Sequence, residues 1–172
     1  MIILILGGTH TGKTLLAQKL LERHSFPYLS IDHLKMGLIR SGRSSLTPQS
    51  DEALLTGELW PVVREIIKTA VENKQNLIVE GCYIPAGFMP DFDPVYLRKI
   101  RHICLIFSEN YIRAHYNEIL AHSRVIEDRP RDCVTMGELL EENRRNLELC
   151  KEYGLDYILI DESYSVEWDF MP

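Results

Sequence analysis

At 172 residues and 45% hydrophobic content, the chain has the length and composition of one globular domain, residues 1–172, with a full-sized core. A formal net charge of −6 argues against a nucleic-acid-binding surface. No apolar run approaches the roughly 20 residues that span a bilayer, and no basic leader precedes the apolar start, so the expectation is a cytoplasmic protein without a membrane partner.

The first element is an aliphatic strand, residues 2–6, followed at once by GGTHTGKT, residues 7–14. Gly7, four intervening residues, Gly12, Lys13 and Thr14 form the P-loop spacing G-x-x-x-x-G-K-[ST]. Glycine lets the backbone turn tightly and approach a phosphate. Successive N–H groups then form an anion nest, and the helix that follows adds the positive end of its dipole. Leu16, Leu20 and Leu21 at helical spacing supply that helix. The whole loop, Gly7, Gly8, Thr9, His10, Thr11, Gly12, Lys13 and Thr14, is expected to hold a nucleotide. Lys13 falls to the β- and γ-phosphates and Thr14 to Mg²⁺, with His10 only a loop side chain.

Further apolar runs at residues 28–31, 77–79, 103–107 and 157–160 are continuous rather than alternating, as in strands buried on both faces of a parallel sheet. Helical spacing separates them: Leu59, Val62, Val63, Ile66, Ile67, Ala70 and Val71; then Ile112, His115, Tyr116, Ile119 and Leu120; then Met136, Leu139, Leu140, Leu147 and Cys150. Thr135 with Glu138 reads as a capping box, Ser108 as a cap, and Thr47-Pro48 as a helix start. Residues 41–52 are loop-rich. The alternation predicts an α/β protein, a parallel sheet with helices on both faces and ligands beyond the carboxyl ends of its strands. Cys82, Cys104, Cys133 and Cys150 are widely spaced, without a CxxC pair, and read as core or near-surface residues of a reducing compartment.

The strand ends therefore carry the candidate chemistry. Asp32 follows the second run, with Lys35 one turn later on the same face and Arg40 and Arg43 beyond. Asp32 is read as a carboxylate that holds the second substrate, against a bare helix cap. Glu80 ends the third run, where a buried carboxylate calls for a cation such as Mg²⁺ or for a basic neighbour. Arg124, Arg129 and Arg131 cluster in HSRVIEDRPRD and read as a short lid, about 123–133, whose guanidinium forks suit phosphate oxygens. Arg144 and Arg145 are weaker candidates for the same task.

Together these residues resemble the P-loop nucleoside and nucleotide kinase superfamily, adenylate-kinase-like small-molecule kinases above all. DHLK is similar to the D-x-x-R that opens the acceptor-binding helices of adenylate kinases, with Lys35 in place of arginine; LIVEGCYI resembles their strand ending in D-G-F-P-R, with Ile84 where an AMP-holding arginine stands. The resemblance implies a three-layer α/β/α fold with a five-stranded sheet in the order 2-3-1-4-5, an acceptor-binding segment at about 32–75, and ATP and Mg²⁺ as cofactors. It further implies a small-molecule acceptor, no nucleic acid, and a monomer or homodimer. In this assignment Lys13, Asp32, Arg129 and Arg131 are catalytic, Asp32, Lys35, Arg40 and Glu80 bind the acceptor, and Thr14 and Glu80 serve the metal. A carboxylate at Asp32 suits a hydroxyl acceptor better than a phosphate, and Lys35, Arg40 and Arg43 point to an anionic group on it. The alternatives are a nucleoside monophosphate kinase, a kinase acting on a sugar nucleotide, or a nucleotide-dependent regulatory ATPase; no N-K-x-D motif supports a GTPase.

Overall fold

The aliphatic run at the start of the chain becomes the central strand, because it carries apolar side chains toward both faces. In the computed structural model, residues 1–122 and 134–170 are described; the segment holding Arg124, Arg129, Arg131 and Cys133 lies outside them. Strand β1 (Ile2–Gly7) sends Ile2, Leu4 and Leu6 into one core and Ile3 and Ile5 into the other, all 5% exposed or less. It pairs in parallel with β3 (Leu77–Glu80) on one side and β4 (Ile100–Phe107) on the other. β2 (Tyr28–Ser30) and β5 (Tyr157–Ile160) complete a parallel sheet in the order β2-β3-β1-β4-β5, the order expected.

One face is covered by α2 (Ile31–Arg40) and α3 (Glu52–Glu72), whose Leu55, Leu59, Val63 and Ile67 are buried on Ile2 and Leu4. The other is covered by α1 (Lys13–His24), α5 (Glu109–His122) and the first turns of α6 (Met136–Tyr153). Residues 161–170 then run back over α1, where Lys19 Nζ donates to the Val166 carbonyl at 3.3 Å. Cys104 in β4 and Cys150 in α6 are buried, and Cys82 is half-buried.

The expected caps at Ser108 and Thr135 form: the Tyr111 N–H donates to Ser108 Oγ at 3.0 Å, and Thr135 and Glu138 close a capping box. The helix start at Thr47-Pro48 does not. Thr47 and Ser50 close a turn, with the Ser50 N–H on the Thr47 carbonyl at 3.0 Å, and proline occupies the second place of that turn, which its fixed φ suits. The helix begins at Glu52, capped by Asp51, whose side chain accepts from the Ala53 and Leu54 N–H groups. Ile31 opens α2 instead of closing β2, and β4 starts three residues before Ile103. Between β3 and β4 the chain adds α4 (Pro94–Leu97) and Phe88 and Phe92, which cluster with Trp60 of α3; neither feature has a periodic signature.

Candidate active site

Every strand is parallel, so the loops after Gly7, Ser30, Glu80 and Phe107 meet on one edge of the sheet. The loop after β1 is a cradle of backbone. Gly7 has φ 135°, and a Cβ there would lie 2.4 Å from the Leu105 carbonyl oxygen, so no side chain fits. Gly12 has φ 83° and precedes α1 without a side-chain cap, which leaves the first N–H groups of that helix for an anion. Thr11 is fully buried and its hydroxyl donates to the Gly8 carbonyl at 2.8 Å. Lys13 is only 7% exposed, and its ammonium donates to the same carbonyl at 2.6 Å. Burial pulls its pKa down, but the surrounding Cys82, Glu80 and Glu142 outweigh this and hold it at about 12. Thr14 is half-buried in the first turn of α1.

Glu142 is the residue that sequence reasoning missed. Its carboxylate accepts from the Thr9 N–H at 2.9 and 3.0 Å, so an anion already lies against the loop backbone. Asn143, next to it and 2% exposed, explains how it gets there. Its Oδ1 accepts from the Phe107 N–H at the end of β4 at 2.8 Å, and its Nδ2 donates to the Leu139 carbonyl at 2.9 Å. The first bond ties the register of α6 to the edge of the sheet that carries the cradle, and the second, within α6, holds the amide in place. Arg145 and Glu52 complete the surroundings. Burial and the nearby Glu142 hold the Glu52 carboxyl above its usual value, while Arg145 and Lys13 pull it back. Arg144 instead pairs with Glu141 and Glu148 on the exposed face of α6.

A second cluster forms at the end of β2. Asp32 stands in the first turn of α2 and is not its cap, which is Ser30. Lys35 Nζ donates to Asp32 Oδ1 at 2.5 Å and to the Tyr83 hydroxyl at 2.9 Å. Burial opposes the charge on Lys35, yet Asp32 and Tyr83 raise its pKa above the ordinary value, so it stays an ammonium. Glu80 is 2% exposed at the end of β3, within the electrostatic reach of Lys13, and Asp32 and Lys13 both act on Cys82 beside it. The sheet thus gathers Lys13, Asp32, Lys35 and Glu80 on one edge. Arg40 is exposed in the last turn of α2, eight residues from Asp32 and about 12 Å along the axis, outside that cluster. Tyr83 had a readable signal, three residues past a strand end; Tyr164, whose hydroxyl donates to the Thr11 carbonyl at 3.2 Å and covers Gly12, had none.

No protein-family model and no curated protein matches the chain. Solved structures do. A shikimate kinase from Bacteroides thetaiotaomicron matches with a TM-score of 0.51 at 16% identity, over 94% of this chain and 86% of that one. A sugar kinase from Janibacter sp. matches at 0.51 and 16%, over 93% and 84%. A deoxyadenosine kinase from M. mycoides matches at 0.54 and 12%, over 94% and 90%. The chain has the fold of the P-loop kinases, a five-stranded parallel sheet with helices on both faces.

Proposed function

We propose that this protein is an ATP-dependent phosphotransferase acting on a small molecule that carries a hydroxyl and an anionic group. What carries the reading is one edge of a parallel sheet that holds both a carboxylate on the backbone cradle at Thr9 and the Asp32–Lys35–Tyr83 cluster two strands away. The residues fit a polyphosphate. The Glu142 carboxylate stands in for a phosphate oxygen pair on the Thr9 N–H, and the missing side chain of Gly8 makes the room: a Cβ there would meet that carboxylate at 2.8 Å.

In this reading the loop N–H groups and Lys13 bind the β- and γ-phosphates. The Thr14 hydroxyl and Glu80 hold Mg²⁺, which when bound neutralises charge on the phosphate oxygens. Among the described residues no group of three or more His, Cys, Asp or Glu gathers to hold a metal. Sharing the ion between a hydroxyl, a carboxylate, phosphate and water suits magnesium, which binds by few protein ligands. Asp32 orients the acceptor hydroxyl and takes its proton; Tyr83 and Lys35 hold the carboxylate in place for that. Arg129 and Arg131, outside the described residues, are assigned to the charge on the transferring group, a role worth about 10³–10⁵ in rate. The enzyme would act in the cytoplasm, as a monomer or homodimer, with ATP and one small molecule as partners.

The test is a screen of acceptors by ATP consumption, with turnover in the absence of acceptor as the baseline. Stimulation by anionic hydroxyl compounds is the expected result. Stimulation only by nucleoside monophosphates makes the acceptor a phosphate, and unstimulated turnover makes the protein a regulatory ATPase; either outcome overturns the proposal.

A further inference from the structure

Resting on the cradle reading above, we propose that Glu142 is a tethered rival of the phosphates, so that α6 keeps the nucleotide site closed until a polyphosphate displaces its carboxylate. Both Glu142 oxygens lie on the Thr9 N–H, at 2.9 and 3.0 Å, and the Thr9 hydroxyl is 3.4 Å from one of them. The carboxylate is not merely near the loop. It fills the concavity that Gly8 leaves, since a Cβ on Gly8 would meet its Cδ at 2.8 Å and its Oε2 at 2.9 Å. A phosphate seated on the same N–H would have to occupy the same volume.

The rival is delivered by the fold. Asn143 pins α6 to the end of β4 with one buried hydrogen bond, from the Phe107 N–H, and its amide is held by a second within α6, so the neighbouring Glu142 reaches the loop at a fixed place. A tethered anion of this kind competes at a high effective concentration. Its seat is contested: Glu80 and Glu142 both act on the Lys13 ammonium, and the Glu142 charge pushes the Glu52 carboxyl upward. A polyphosphate offers the Thr9 N–H and Lys13 more negative charge than one carboxylate does. The rule of population shift then applies: affinity is lowered by the fraction of molecules in which the cradle is open.

The test is equilibrium binding of inorganic pyrophosphate and of ATP to the full chain at fixed ionic strength, followed by calorimetry. Glu142→Gln keeps the shape without the charge, and Glu142→Ala removes both; Glu141→Gln, on the solvent face of the same helix, is the control. If the cradle is open in less than about a tenth of resting molecules, both Glu142 variants bind pyrophosphate about tenfold tighter or more, and the control binds like the parent. Thermal unfolding adds a signature of the opposite sign: unliganded Glu142→Ala melts lower, because the Thr9 N–H has lost its acceptor, yet gains more from pyrophosphate. A Glu142 that only shapes the loop gives unchanged or weaker binding in both variants, and that result overturns the proposal while leaving the cradle intact. Failure of the parent and of every variant to bind either polyphosphate removes the cradle, and the rival with it.

Discussion

Lys13 should stabilise the unliganded protein as well as bind nucleotide. Its ammonium is 7% exposed and lies among Cys82, Glu80 and Glu142, which raise its pKa from the ordinary 10.5 to about 12 despite the opposing effect of burial. A group whose folded pKa lies above its unfolded value binds its proton more tightly in the folded state, so it adds stability at lower pH. The rise from 10.5 to about 12 corresponds to about 2 kcal/mol, fully present below pH 10.5 and lost as the pH rises toward 12. Lys13→Met, which keeps the apolar stem and removes the charge, should therefore lower stability by about 2 kcal/mol at pH 8, or roughly 4–8 °C in Tm for a chain of this length. Urea unfolding of parent and variant, measured in parallel from pH 8 to 11.5, isolates the lysine from the cysteines and tyrosines that titrate in the same range. The difference between the two curves should stay constant to about pH 10 and then shrink. The same variant should lose pyrophosphate binding. A variant as stable as the parent at pH 8, or a difference that grows with pH, would refute the claim that the surrounding acids outweigh the burial of the ammonium.

Asp32→Asn should reduce turnover on the best acceptor by about 10²–10⁴ while ATP affinity changes little, since a base is lost and the phosphate cradle is untouched; steady-state kinetics that retain half of the parent's kcat remove Asp32 from proton transfer. Glu80→Gln should cut the Mg²⁺-dependent rate strongly with a modest loss of nucleotide affinity, and an unchanged Mg²⁺ titration makes Glu80 a structural residue. Asn143→Ala leaves the buried Phe107 N–H without its acceptor at 2.8 Å, so unfolding should show a loss of about 1–3 kcal/mol, and no loss would mean that α6 is held in register by other contacts.

What the sequence determines here is local or periodic. The loop from Gly7 to Thr14 is legible because its motif is local: eight successive residues whose spacing survives in any fold that places a strand before and a helix after them. The sheet is legible because strands buried on both faces must be continuously apolar, and the helices because they must show their period to a core. Parallel strands then place Asp32 and Glu80 on the same edge as the loop, because every such strand ends there. Tertiary structure decides what lies opposite these residues. Glu142 meets Thr9 across 133 positions and Tyr83 meets Lys35 across 48, and nothing in the spacing of either pair records the contact. Glu142 sits among other charged residues of α6, and only the buried amide of Asn143, bonded to the end of β4, turns it toward the phosphate loop while Arg144 faces water. A helix in isolation has no preferred rotation about its axis. That rotation is set by packing against the sheet, and with it the choice of which carboxylate becomes part of the site.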